Sequence, residues 1–233
     1  MRVLPTDTIA PAGEESAYFR QVFAWMAVGL GITGGVSAAI GHSQTALHAL
    51  FESNGGAVII VLFLLELALV AGLSTLVRHM DVFEAGAMFL AFAALNGVTF
   101  SLLFAAFTDK SIFSTFLVTA GMFGAIALWG YTTGADLTGW GSFLMMALVG
   151  QLIGLVVNIF WLNQTLYWAT TAAGVLIFSA LTAYDVQRLK RYEPPPGAPS
   201  DLAEKEAIVG ALALYLDFVN LFLYLLRLLG RRR

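Results

Sequence analysis

The stretch AIVGALALYLDFVNLFLYLLRLL, Ala207 to Leu229, decides how the rest of the chain is read. It is long enough to cross a bilayer, which takes about 20 apolar residues, yet Asp217 sits in its middle. A charge at that depth costs roughly 2.5 to 3.5 kcal/mol on insertion scales, so it is expected to face protein or water and to serve function. Steps of three and four from Asp217 place Gly210, Ala213, Asn220, Tyr224 and Arg227 on one helical face, while Leu212, Leu216, Leu223 and Leu226 cover much of the rest. The stretch predicts a spanning helix with one polar stripe.

The remaining chain agrees with that setting. Of 233 residues, 59% are hydrophobic and 12% charged, against about 45 to 50% and about 25% in soluble domains. Leu137 to Tyr184 runs 48 residues without Asp, Glu, Lys or Arg, room for two spans at about 20 residues each. The expectation is an all-α membrane protein with seven spans near 19–41, 55–77, 83–107, 112–133, 140–162, 165–187 and 206–229, forming one domain over 19–230. Polar or Gly-rich breaks separate them: Gly41 to Gly56, Arg78 to Asp81, Thr108-Asp109-Lys110, Gly134 to Gly139, and a tight turn at Asn163-Gln164 between Trp161 and Trp168. Glu193 to Asp201, with Pro194-Pro195-Pro196-Gly197 and Pro199, reads as the one real linker.

Residues 1–18 hold Asp7, Glu14 and Glu15 against Arg2, a polar tail without the basic region of a cleaved signal peptide. Arg20, Arg78, Arg188, Lys190, Arg191 and Lys205 fall on one side of a seven-span chain, and the opposite loops hold only Lys110. The positive-inside rule then puts the N-terminus in the cytoplasm of the plasma (inner) membrane. Arg227 and Arg231-Arg232-Arg233 fall outside, against the rule; either the last helix crosses regardless, which we favour, or one of the last two segments re-enters.

Composition also narrows function. A net charge of −3 gives no basic field for nucleic acid. Without cysteine there is no thiol nucleophile or thiolate metal site. His42, His48 and His79 lie at loops or helix ends, and neither His-Glu-x-x-His nor Gly-x-Ser-x-Gly occurs, so an enzyme is not expected.

Three carboxylates are intramembrane or nearly so. Glu66 lies mid-way along the second span with Ile59, Leu62, Val70 and Leu73 on its own face, so its partner must come from another helix; the plain reading is interhelical glue worth about 1 kcal/mol. Asn96, Thr99 and Asn158 can supply oxygens or donors. Asp185 closes the sixth span in Ala183-Tyr184-Asp185-Val186-Gln187-Arg188. It is either a surface partner of Arg188 at i+3 or placed for another purpose, since an acid in a last turn opposes the helix dipole. For Asp217 the plain reading is packing, with Asn220 and Arg227 neutralising it. Two carboxylates brought together in a low-dielectric interior share one proton, deprotonation loosens the helix pair by repulsion, and a divalent cation offsets that repulsion; carboxylate and amide oxygens suit Ca²⁺. Depth is the obstacle: Asp185 is about 4.5 Å from Arg188 at helical rise, and Asp217 about 16 Å beyond Glu206. The two meet if the last helix begins well outside the hydrocarbon, or if water penetrates.

Leu181-Thr182-Ala183-Tyr184-Asp185 and Leu214-Tyr215-Leu216-Asp217-Phe218-Val219-Asn220-Leu221-Phe222 resemble the last two helix signatures of the transmembrane Bax inhibitor motif family, and Leu65-Glu66-Leu67-Ala68 is similar to its second helix. The resemblance covers about residues 19 to 230 and the short tail suits a bacterial member. It implies a central last helix surrounded by the other six, and a pH-sensitive calcium leak channel whose gate is the di-aspartyl pair Asp185 and Asp217, lying on the Ca²⁺ pathway. It further implies an arginine latch near the cytoplasmic end of helix two; Arg78 is its candidate here, or is a simple interfacial positive-inside residue. Some bacterial relatives are linked to a membrane-bound protease as modulators, so a non-transporting protease regulator stands as the alternative, beside a proton-coupled cation exchanger.

Overall fold

The computed structural model describes residues 12–51, 55–192 and 201–233, with side chains from residue 17 onward. Most of the expected linker (193–200) and residues 1–11 of the expected tail lie outside the described residues; residues 12–18 already belong to the first helix. The helices are α1 (Ala12–Gly41), α2 (Gln44–Phe51), α3 (Gly55–Leu76), α4 (Val82–Phe100), α5 (Leu103–Ala106), α6 (Asp109–Thr132), α7 (Trp140–Phe160), α8 (Gln164–Lys190) and α9 (Leu202–Leu229). Seven of them are long and apolar enough to cross a membrane. Among the described residues the only β-type pairing is one isolated bridge, Phe107 with Arg232. The loop expected over Gly41 to Gly56 instead contains the short helix α2, whose apolar Ala46-Leu47 and Ala49-Leu50 are spaced by helical steps.

Local chemistry sets the breaks. After α3 a 3₁₀ turn spans Val77–His79. Asp81 then caps α4, accepting from the Glu84 amide at 2.7 Å while Glu84 accepts from the Asp81 amide at 3.1 Å; such a cap contributes about 1 kcal/mol. Asn163 starts α8 by accepting from the Leu166 amide at 3.0 Å, and the Asn158 side chain donates to the Asn163 carbonyl at 2.9 Å. Asn158 thus serves the turn, not the bundle interior.

The last helix is the core. In its apolar window 72% of residues are buried, against 11% for α3 and α7. It lies against α1, α8, α6, α4 and, at fewer points, α3. The sixth neighbour, α7, packs on α8 and reaches α9 through Gln151, whose amide donates to the Tyr224 hydroxyl at 2.8 Å and the Thr170 carbonyl at 2.7 Å. Tyr215 is fully buried with Phe89 and Phe92 edge-on to its ring, and its hydroxyl meets Thr33 Oγ1 at 2.7 Å. In lipid such packing and hydrogen bonding, rather than water exclusion, hold helices together.

Loop contacts sort into two faces. At one, Tyr18 stacks on Tyr192, Arg191 pairs with Asp136 at 2.8 Å, and Lys205 donates to the Met80 carbonyl at 3.2 Å. At the other, Asp109 contacts His42 and Arg233, and Arg232 reaches the Tyr167 hydroxyl. Tyr18 and Arg233 therefore stand at opposite ends of the bundle.

Candidate functional site

Asp185 and Asp217 meet because α8 and α9 run antiparallel in a register that aligns them. Leu189 lies against Gly210, and Phe178 stacks on Tyr224 at 5.7 Å; positions on the two helices pair when their numbers add to about 400, as 185 and 217 do. The depth obstacle disappears because α9 starts at Leu202, some 22 Å of helix before Asp217 at 1.5 Å per residue. Asp185 lies five residues inside the end of α8. The register sets the two carboxyl groups beside each other between the helices. A hydrogen bond joining two carboxyl groups requires a proton on one of them.

A backbone constraint keeps α8 at this distance. A Cβ on Gly130 of α6 would lie 2.6 Å from the Ala183 carbonyl oxygen and 2.9 Å from its Cα. Only glycine lets α6 approach α8 so closely, two residues before Asp185. Asp217 itself is 4% exposed, and its Oδ2 is buried without a hydrogen-bond partner.

The other sequence candidates are distributed differently. Arg188, one turn beyond Asp185 on α8, is exposed and forms no ion pair with it. Arg78 reaches Glu206 at 3.9 Å, about 16 Å along α9 from Asp217, so as a latch candidate it stands on another acid in this conformation. Asn220 turns its amide to the Leu216 carbonyl of its own helix at 2.8 Å, not to Asp217. Arg227 lies over the Tyr224 ring at 5.4 Å, in the last turn of α9 where the dipole favours a cation. Neither neutralises Asp217. The expected stripe splits accordingly: Gly210, Asp217 and Tyr224 are buried, whereas Ala213, Asn220 and Arg227 share a less buried side with Leu216 and Leu223. Leu212 and Leu226, read as covering the rest, are buried in protein.

Glu66 forms a separate polar contact, accepting from Thr99 of α4 at 2.7 Å. Its partner does come from another helix. Asn96, one turn earlier on α4, keeps a buried Oδ1 without a partner. Among the described residues no three His, Cys, Asp or Glu side chains gather to hold a metal. Two carboxylates fall short of the six to eight oxygens that Ca²⁺ takes.

Fold and site together define a polytopic all-helical membrane protein with a buried acidic pair between its last two helices. The chain belongs to the Bax inhibitor family: the family described as Inhibitor of apoptosis-promoting Bax1 matches residues 15–233. It is similar to Inner membrane protein YbhL of Escherichia coli, 43% identical over 227 residues covering 97% of this chain and 96% of that protein. An uncharacterized protein of Borreliella burgdorferi is 39% identical over 219 residues, covering 94% of each chain. One from Deinococcus radiodurans is 36% identical over 211 residues, covering 91% and 89%.

Proposed function

We propose that this protein is a pH-sensitive Ca²⁺ leak channel of the inner membrane, with its N-terminus in the cytoplasm and the Asp185–Asp217 pair as its gate. The observation that carries the reading is the pair itself: two carboxyl groups from adjacent antiparallel helices fall in the same register, one of them almost fully buried. With one proton between them the pair ties α8 to α9. Without it, two like charges repel in a medium where Coulomb energy is several times its value in water. The helices then part, and carboxylate oxygens are freed for a hard cation in transit. Ca²⁺ is cargo in this scheme, since two carboxylates bind it too weakly to retain it. The location of YbhL, and the basic residues Arg20, Arg78, Arg188, Lys190, Arg191 and Lys205 on the Tyr18 face, support the placement.

The test is Ca²⁺ flux into proteoliposomes between pH 6 and 8. The wild type is expected to conduct more at pH 8 than at pH 6, and Asp185→Asn with Asp217→Asn to give a flux independent of pH. An unchanged flux and pH profile in the double variant refutes the gate. Ca²⁺ movement only under an imposed pH gradient assigns a proton-coupled exchanger instead. No flux from well-folded protein that co-purifies with a membrane protease and alters its activity assigns the regulatory role.

A further inference from the structure

A groove of about 700 Å³ opens on the side of the bundle between α1 and α6. Gly31 and Gly34 of α1 form one wall, Phe113 and Phe116 of α6 the other, and Phe218 and Phe222 of α9 the floor. Both helices rest on α9, and they meet at the far end from Asp109, where Phe19 of α1 packs on Tyr131 of α6 at 5.1 Å. A Cβ on Gly31 or Gly34 would meet nothing within 4 Å. The volume falls within the roughly 300 to 1,000 Å³ of ligand pockets, and its lining is almost wholly apolar.

The groove ends in charge. The last three residues are fastened beside its mouth: the Thr108 amide donates to the Arg231 carbonyl at 3.2 Å, the Arg233 amide to the Ala106 carbonyl at 3.1 Å, and the Arg231 amide to Ser111 Oγ at 2.7 Å. Asp109, which lines the groove end, is already bracketed by His42 at 3.2 Å and Arg233 at 2.6 Å. Arg231, Arg232 and Lys110 are exposed around the same turn, Arg232 with its guanidinium donating to the Tyr167 hydroxyl at 3.4 Å. Three fixed cations at the interfacial end of a lipid-facing apolar groove complement an acidic headgroup above hydrocarbon. A second copy of this chain would bring the same cations against themselves.

We propose that this groove binds an acyl chain of an anionic phospholipid, with the phosphodiester headgroup against Arg231, Arg232 and Lys110. A Lys or Arg near an anionic lipid surface strengthens association about fivefold. Three such cations therefore give a preference of order a hundredfold over a zwitterionic lipid.

The test is native mass spectrometry of the delipidated full chain in detergent. Phosphatidylglycerol, phosphatidylethanolamine of the same chains and a free long-chain fatty acid are added in turn. Phosphatidylglycerol is expected to be retained at least tenfold over the other two. Arg231→Gln with Arg232→Gln and Lys110→Gln brings it to the phosphatidylethanolamine level, and Gly34→Phe, which fills the groove, abolishes retention while helicity and melting stay unchanged. Should Gly34→Phe fold poorly, the smaller Gly31→Leu gives the same readout. Equal retention of all three additives, retention insensitive to groove filling, or a dimer that groove filling dissolves overturns the proposal.

Discussion

Gly130 offers a sharp perturbation, because backbone atoms of α8 close the space beside it. A Cβ there meets the Ala183 carbonyl oxygen at 2.6 Å and its Cα at 2.9 Å. Comfortable C···O contacts lie near 3.3 to 3.6 Å, so Gly130→Ala forces α6 and α8 apart by about 0.7 Å or more. The neighbours are backbone atoms and cannot rotate aside. Overpacking of this kind costs typically 1 to 3 kcal/mol, or about 2 to 12 °C in melting temperature for a chain of this size. The displaced segment carries Asp185 two residues later, so the carboxyl pair is disturbed as well. Gly124→Ala is the control on the same helix, since a Cβ there meets nothing within 4 Å; alanine's helix propensity favours it by up to about 1 kcal/mol. Thermal unfolding of the three proteins in detergent, with Ca²⁺ flux in parallel, tests the argument. If Gly130→Ala melts with Gly124→Ala and conducts like the wild type, the close approach of α6 and α8 does not hold the site.

Removing the Thr99 hydroxyl with Thr99→Val is expected to lose about 1 kcal/mol in detergent unfolding, while Glu66→Gln keeps the bond because its amide oxygen still accepts from Thr99. Gln151→Leu deprives Tyr224 and the Thr170 carbonyl of their donor, and a loss of about 1 to 3 kcal/mol is expected in the same assay. The Asp136 carboxyl is held below the usual carboxylate range by the Thr138 hydroxyl, then by Arg191. Its contribution is complete above its unfolded value and is lost only as pH falls through the lower folded one. Asp136→Asn should therefore leave the flux profile between pH 6 and 8 unaltered. His42 is shifted upward by the Ala38 carbonyl and then by Asp109. The stability it lends to the His42–Asp109 contact is fully present below its ordinary value near 6.5 and fades as pH rises through the folded value, so hydrogen exchange around 107–111 should quicken from pH 6 to 8 and become pH-insensitive in His42→Gln after correction for intrinsic rates.

The spans were legible because each break carries its own chemistry: Asp81 caps α4, Asn163 caps α8, and 48 uncharged residues leave room for two crossings. Asp217 was legible for the same local reason, a charge where lipid tolerates none. What escaped depends on how helices meet. The helical wheel cannot tell lipid from protein when a helix is enclosed, so Leu212 and Leu226 read as outer residues although both are buried. Sequence spacing put Asp185 and Asp217 at different depths, and only the α8–α9 register aligns them. Arg231-Arg232-Arg233 read as a violation of charge bias; its fastening to the α5–α6 turn is a tertiary event with no local signal.

The account rests on Asp185 and Asp217 acting as one proton-dependent tie between α8 and α9. Double electron–electron resonance between spin labels near the ends of α8 and α9, at Arg188 and Glu204, reads that tie directly across pH 6 to 8. The account predicts a separation that widens as pH rises in the wild type and does not change in the Asp185→Asn, Asp217→Asn protein. One distance distribution at every pH in the wild type, or the same widening in both proteins, contradicts it.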